Sequence, residues 1–504
     1  MKFLPAFLVS VSLALIQGLH AEEARHLSLD ECIHDALARN MDIRISRFSP
    51  QFGRLDLRAA SADWDPRLNT SASESFSASA AIAIPGQPNT RASETTTEHY
   101  NVGLSGLTPV GLTYNLFGDL SRTVGFESFI IDTNGTTISA PPSVRYRPST
   151  GVTLAQPLLK NFWIDPTRYT IAVSKLALKQ DEQAVRQQII LTVTQVTLAY
   201  YNLIFARETI KVQQKALELA ERLLMENKKK VEVGAMAPLE AKEAEARAAV
   251  SRTDLLSAQQ LSEQAQNSLK ELIDDDFAKF EAIRIEPTET LMATPVLLSQ
   301  QDSWARGLTL RPDILQSISN LEQKKIAVRF TRNQLFPQLD LTGSYGLTAF
   351  DRGQWLAYDQ IGAQQNPNYS YGARLSIPLS NRAARTAYQK SKLQREEQLL
   401  RHKRLEQQVM VEIANVVQFA RIAYEKLDST KQGRIFAEDA LAAEQTKLEN
   451  GKSTNFLVLE AQRKLTAAQS AEIEALTEYN KSLARLSQAE GYTLDQHKIQ
   501  VEYR

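Results

Sequence analysis

Glu240 and Glu243 stand six and nine residues after Gly234, and Glu460 stands nine after Gly451, where the sixth place is held by Leu457. Acids in the opening turns of helices do electrostatics, not bond-making. They complement the helix dipole, or, repeated around a pore, they attract cations. Six scattered histidines and the single Cys32 offer no metal-ligand spacing and no internal disulfide. No phosphate-binding loop or nucleophile motif accompanies them, so neither catalysis nor a cofactor is expected. Lys plus Arg equals Asp plus Glu at 58 each, which removes the basic excess that nucleic-acid binding needs. The Lys228-Lys229-Lys230 run reads as a solvated helix face or as a contact for an acidic partner.

The elements that position these acids are written twice. Ser174-Lys175-Leu176 returns as Ser391-Lys392-Leu393, and Glu232-Val233-Gly234 as Glu449-Asn450-Gly451, both at an offset of 217. Upstream, Trp64 to Leu68 resembles Leu335 to Leu339, and Gly151 to Leu158 resembles Gly372 to Leu379. Each half reads as a helix, a strand region, a very long helix, a glycine turn and a returning helix. Such duplication points to a pseudo-symmetric assembly.

From Arg168 to Val233 the chain has neither Pro nor Gly and is rich in strong helix formers. At ~1.5 Å per residue that helix extends on the order of 100 Å. Ile189, Val196, Leu203, Ile210, Leu217, Leu224 and Val231 recur every seventh residue, a seam for packing along the whole length. Ile413, Ala420, Leu427, Leu441 and Leu448 repeat it in the second half, with Arg434 interrupting. Ala199, Ala206 and Ala220 form a second, small stripe that permits close approach on another side. Gly234 and Gly451 suit left-handed C-terminal caps, after which Pro238 or Ser453-Thr454-Asn455 starts a new helix.

The strand regions alternate with period two. In the second half Tyr345, Tyr369, Tyr371, Ala373, Leu375 and Ile377 suggest two strands, joined by a polar loop with Asn366-Pro367-Asn368. The first half gives this region 50 more residues, enough for a further pair at Tyr100/Val102/Leu104 and Val110/Leu112/Tyr114/Leu116. Ser71 to Glu98 and Thr123 to Ser149 read as long surface loops. Tyr100, Tyr114, Phe117, Tyr345 and Tyr371 are candidates for a membrane-interface belt, or for core and lumen positions. If both extra strands join a barrel, each chain contributes about six; otherwise the insertion is an external structure over the mouth.

Lys2, the apolar run to Ile16 and the small residues before Ala21 form an export signal, expected to be cleaved after Ala21. Leu29-Asp30-Glu31 before Cys32 is too polar for lipid attachment. No later stretch is expected to span a membrane as a helix, so entry into lipid would have to be as a β-barrel. An even strand number returns the chain to its starting side, and so few strands close a barrel only if several copies combine.

In order, spacing and duplication the chain resembles the TolC-like outer membrane efflux proteins (outer membrane factors). The resemblance rests on Leu27 to Asn40, Arg311-Pro312-Asp313-Ile314, Phe336-Pro337-Gln338-Leu339, Val152 to Leu159 and Gly451 to Gln462. It implies a mostly α protein with a membrane β-barrel: a duplicated helix–strand–long helix–helix repeat forming a homotrimeric α-helical tunnel capped by one shared barrel in the outer membrane. The tunnel would extend into the periplasm of a Gram-negative bacterium. It also implies partners: outer-membrane lipid, a periplasmic adaptor and an inner-membrane transporter of the RND or ABC type. These belong to a tripartite efflux pump or a type I secretion system. Adaptor docking would fall on Val233, Gly234, Ala235 and Met236 with Gly451, Lys452, Ser453 and Thr454. Some family members carry acids six and nine places after the second tip glycine, where this chain has Leu457 and Glu460; with Glu240 and Glu243 at the equivalent places of the first repeat, these are the expected pore aperture. Leu457 departs from that pattern and puts cation selectivity in doubt.

The expected layout is a signal at 1–21, a first repeat at 22–275, a linker at 276–302, a second repeat at 303–490 and a tail at 491–504. Within the first repeat the elements fall at 28–62 (helix), 66–158 (strands), 168–233 (long helix) and 238–275 (return helix). In the second they fall at 303–334, 337–379, 384–449 and 453–490. An exported periplasmic coiled-coil tether is the other reading; it would be soluble without detergent and leaves the alternating strand regions unexplained.

Overall fold

The computed structural model describes residues 23–79, 93–125, 142–281 and 283–501. The expected signal at 1–21 lies outside the described residues. The first repeat opens with β1 (Glu23–Leu27), α1 (Leu29–Arg39), α2 (Met41–Ser46) and α3 (Phe48–Ala60). Four strands follow, β2 (Arg67–Ser79), β3 (Ser93–Leu107), β4 (Thr113–Gly125) and β5 (Ser143–Pro157), then the long α4 (Pro166–Glu232) and the returning α5 (Pro238–Ile273). After α6 (Phe277–Phe280) and β6 (Ile283–Pro287) come α7 (Gln300–Leu310), α8 (Pro312–Asn333), β7 (Gln338–Thr348), α9 (Gln354–Gly362) and β8 (Pro367–Ser376). The second long helix α10 (Arg382–Glu449), its return α11 (Asn455–Glu490) and the short α12 (Thr493–Gln496) complete the chain.

Several expectations are corrected. Ser71 to Ser79 and Ser93 to Glu98 belong to long strands instead of a loop, as do Thr123 to Gly125 and Ser143 to Ser149. Segments 80–92 and 126–141 of those expected loops lie outside the described residues. The linker is less loose than its composition suggests: β6 pairs in parallel with β1. The loop between β7 and β8 contains a helix, and Pro367-Asn368 already belong to β8. The single helices expected at 28–62 and 303–334 are broken at Asn40 and Arg47, and at Arg311 before Pro312.

The chain divides into two compact units. One comprises residues 23–49, 183–315 and 405–501 and holds most of the buried apolar side chains. Of the first seam, Ile189, Val196 and Leu203 are buried, and of the second Ile413, Ala420, Leu427 and Leu441. Arg434, which breaks the second seam, reaches Glu472 of α11 at 2.5 Å and Glu438 at 2.8 Å, so the charge is paired where a hydrophobe would sit. Tyr200 donates its hydroxyl to Leu27 O at 3.1 Å, and Arg207 donates to Ile285 O and Glu286, tying β1 and β6 to α4. Asp274 and Asp275 accept from Arg39 and Arg44 at 2.6 and 2.8 Å. Contrary to expectation, α4 contains a window long and apolar enough to cross a membrane by length and composition; two thirds of that window is buried, as for a core helix.

The other unit comprises residues 50–182 and 316–404 and contains one six-stranded antiparallel sheet in the order β2-β3-β4-β5-β7-β8. Its helical segments lie in the same sequence. Gly53 of α3 sits against Leu178 and Asp181 of α4, where an added Cβ would come within 2.5 Å of the carboxylate. Tyr169 of α4 stacks on Phe330 of α8 with centroids 4.5 Å apart, and Thr331 of α8 meets Ser391 of α10 at 2.7 Å. The row is therefore α3-α4-α8-α10.

Cys32 is fully buried, and burial pushes its thiol up to about 12. It should stay unreactive toward a thiol reagent in native protein at neutral pH and react fully once the chain is unfolded. Leu203→Ala, at 1% exposure, should cost ~2–5 kcal/mol, read as a lowered unfolding temperature.

Candidate functional site: a two-faced sheet and two helical turns

Period-two geometry gives each strand two faces, and cross-strand partners share a face. One complete row across the sheet is Leu68, Leu104, Leu116, Val152, Tyr345 and Tyr369. The adjacent row, one residue along and on the opposite face, is Arg67, Ser105, Asn115, Thr153, Ser344 and Ser370. The first is apolar or aromatic at every place and the second polar at every place. Water does not account for the first row, because Leu68 is 70% and Tyr369 75% exposed while other large apolar groups of this face stand open beside them. Such a patch marks contact with lipid or protein.

The polar face is internally bonded. Asn69 donates to Ser105 Oγ at 3.1 Å, Ser344 and Ser370 meet at 2.7 Å, and Asn101 donates to Asp119 at 2.5 Å. Toward the ends of β3 and β4 away from their connecting turn, the Glu98–Arg122 ion pair interrupts the apolar face. Register places Tyr100, Tyr114, Tyr345 and Tyr371 on the apolar face and Phe117 on the polar one. Tyr114 lies over Gly106, leaving no room for a Cβ there.

In the other unit both long helices end in the same motif. Ala235 N–H donates to Lys230 O at 2.8 Å and Gly234 N–H to Val231 O at 3.0 Å; Lys452 and Gly451 repeat these bonds to Lys447 and Leu448 at the same lengths. This is the Schellman cap, and it requires the left-handed backbone found at Gly234 (φ +72°) and Gly451 (φ +69°). The new helices start with Pro238 and with Thr454, whose Oγ1 accepts from Leu457 N–H at 3.4 Å. Val233, Gly234, Ala235, Gly451, Lys452 and Thr454 are exposed, whereas Met236 and Ser453 are half-buried.

The two turns are tied together within one chain. Asn455 is buried, and its Nδ2 donates to Glu240 at 2.7 Å and lies 3.3 Å from Met236 Sδ. Nothing in sequence spacing points to that link. Glu460 is engaged by Arg463 through two bonds of 2.8 and 2.6 Å. The Arg463 guanidinium holds its carboxyl below the usual range, and Lys447 and Ser453 do the same for Glu444. Glu243 and Leu457 are exposed, as are all three lysines of Lys228 to Lys230. Among the described residues no cluster of His, Cys, Asp and Glu could hold a metal ion.

A sheet with one face suited to lipid and the other to water, joined to a duplicated set of long helical hairpins, defines a membrane-wall protein of the channel type. The model of the outer membrane efflux protein family matches residues 146–274 and 306–492, and the chain belongs to that family. It is an efflux protein and not an enzyme. The fold is similar to that of CusC, at 17% identity and TM-score 0.65 with 92% of each chain covered. It is similar to the Campylobacter jejuni outer membrane channel CmeC at 17% identity and TM-score 0.64, covering 92% of this chain and 86% of that one. VceC, an outer membrane protein of Vibrio cholerae, aligns at 17% identity and TM-score 0.64 over 92% of this chain and 96% of its own. No curated protein matches the chain.

Gly451→Ala should cost roughly 1–2 kcal/mol through backbone strain alone, since nothing lies within 4 Å of the added Cβ. Gly451→Asn should cost less, because Asn tolerates this conformation; hydrogen exchange at the turn reads the difference. Depressed carboxyl pKa values stabilise the turns above the unfolded-state value of 4.5 and lose that contribution as pH falls through the folded values. Exchange there, corrected for its intrinsic pH dependence, should therefore stay constant from neutral pH to about 5 and rise only in more acid solution.

Proposed function

We propose that the chain is the outer-membrane channel of a tripartite export machine, a passive duct through which solutes leave the cell. The observation that carries this reading is the pair of opposed rows in the sheet, apolar through Leu68 to Tyr369 and polar through Arg67 to Ser370. Strands in hydrocarbon must satisfy every backbone group without water, and a closed sheet does so. The working form is a homotrimer whose strands share one barrel in the outer membrane of a Gram-negative cell, with the helices reaching into the periplasm. Energy comes from an inner-membrane transporter of the RND or ABC type, coupled through a periplasmic adaptor. The family favours an efflux pump over a type I secretion system. CmeC and MtrE of Neisseria gonorrhoeae, both described as outer membrane channels, share the fold.

The adaptor docks on the turns from Val233 to Met236 and from Gly451 to Thr454, where all but Met236 and Ser453 are exposed. The pore aperture forms from Glu240, Glu243, Leu457 and Glu460, with unequal contributions. Arg463 offsets the charge of Glu460, whereas the amide of Asn455 is neutral and leaves the charge of Glu240 in place, so the ring charge that attracts cations rests on Glu240 and Glu243.

Reconstitution of detergent-extracted protein in a planar bilayer tests the channel. Steady conductance with cation preference is expected, and Glu243→Ala should move the permeability ratio toward unity while Glu460→Gln changes it less. Folded protein that inserts and never conducts would contradict the duct. A photo-crosslinker at position 452 should capture the adaptor in cells, whereas one on the polar face at position 115 should not.

A further inference from the structure

The first repeat carries two more strands than the second, and they need a place. We propose that all six strands stand in the membrane wall, so that three copies close an eighteen-stranded barrel through a β2-to-β8 seam. This rests on the channel reading above.

The β3–β4 hairpin is part of the wall. Its residues Leu104 and Leu116 continue the apolar row without a break, while Ser105 and Asn115 continue the polar one. At 15 and 13 residues, β3 and β4 match β5 and β2 in length, beyond the ~9–11 residues that a tilted strand needs to cross lipid. Their connecting turn also lies at the helical end of the sheet. Arg168, in the first turn of α4, donates through Nε to Pro109 O in that turn at 2.9 Å, and through Nη1 to Phe162 and Trp163 carbonyls at 3.0 Å. A hairpin that returns there makes two full crossings; a cap over the outer mouth would not reach it.

The seam is equally specified. Among the described residues β2 pairs only with β3 and β8 only with β7, and every residue of both edge strands is exposed. Bare edges of this length are a template for another strand. Six strands in one antiparallel order leave β2 and β8 running in opposite directions, so β8 of one copy can pair antiparallel with β2 of the next. The helical row of the same unit ends on the same two sides, at α3 and α10, with Leu55 56%, Leu393 66% and Leu400 67% exposed. One neighbouring copy would cover both layers at once.

Widths agree with a common closure. A strand tilted by ~40° takes up about 6 Å of circumference, so six strands need about 38 Å. Four helices at ~10 Å need about 40 Å. Four strands would fill only about 25 Å beneath the same helices. Three copies then give a barrel roughly 35 Å across, in the range of the larger aqueous porins.

Electron cryomicroscopy of protein extracted from outer membranes in detergent decides the matter. Eighteen strands with three-fold symmetry and Leu104 facing the detergent belt is the expected result. A three-fold channel of twelve strands with two strands per chain outside the wall would overturn this proposal and leave the channel intact. Twelve strands from two copies would overturn it as well. A soluble particle with no ring would remove the channel reading along with it.

Discussion

Backbone hydrogen bonding in a medium without water is the constraint on which the rest of this structure depends. A strand facing lipid cannot leave its N–H and C=O groups to solvent, and it cannot bend back into a core, because one of its faces must also meet water. Long, regular strands with strictly alternating sides are the available solution. That is why Leu68, Leu104, Leu116, Val152, Tyr345 and Tyr369 fall in one row, and why the polar residue beside each points the other way. It also explains why the apolar side is exposed in a single chain.

The helices solve a different problem. In water their backbone is self-sufficient, and a heptad seam with small residues beside it holds them side by side. Duplication supplies two such hairpins per chain, and the turn where each reverses is reduced to a glycine in the left-handed conformation with two backbone bonds. Identical caps at Gly234 and Gly451 make the turns alike in shape. Their electrostatics differ: Glu240 reaches across to Asn455, while Glu460 is closed on its own helix by Arg463. The pseudo-symmetry is thus one of backbone, broken by side chains at the two turns.

Much of this was legible beforehand, for reasons tied to particular residues. The long helices declare themselves through an uninterrupted run of helix formers and a seven-residue period, and their ends through glycine; the structure starts them at Pro166 and Arg382, within two residues of the expected places. β2 was hidden because its apolar side is diluted by Thr70, Ala72 and Glu74, while Ser71, Ser73 and Ser75 on the other side mimic a loop. Strands that meet lipid on one side and water on the other need only half of their residues to be apolar, and tolerate fewer near the rim. The β1–β6 pairing and the Asn455–Glu240 link join segments more than 200 residues apart, and no local pattern encodes them.

The central claim is that this sheet separates lipid from water, and β4 is the strand on which to test it most directly. A nitroxide scanned from position 113 to 120 in protein reconstituted into vesicles reports collision with oxygen, which concentrates in lipid, and with a water-soluble nickel chelate. The account predicts oxygen maxima at 114, 116, 118 and 120 and nickel maxima at 113, 115, 117 and 119, strictly out of phase. Equal access of both reagents at every site, or oxygen maxima on the Asn115 side, would contradict it.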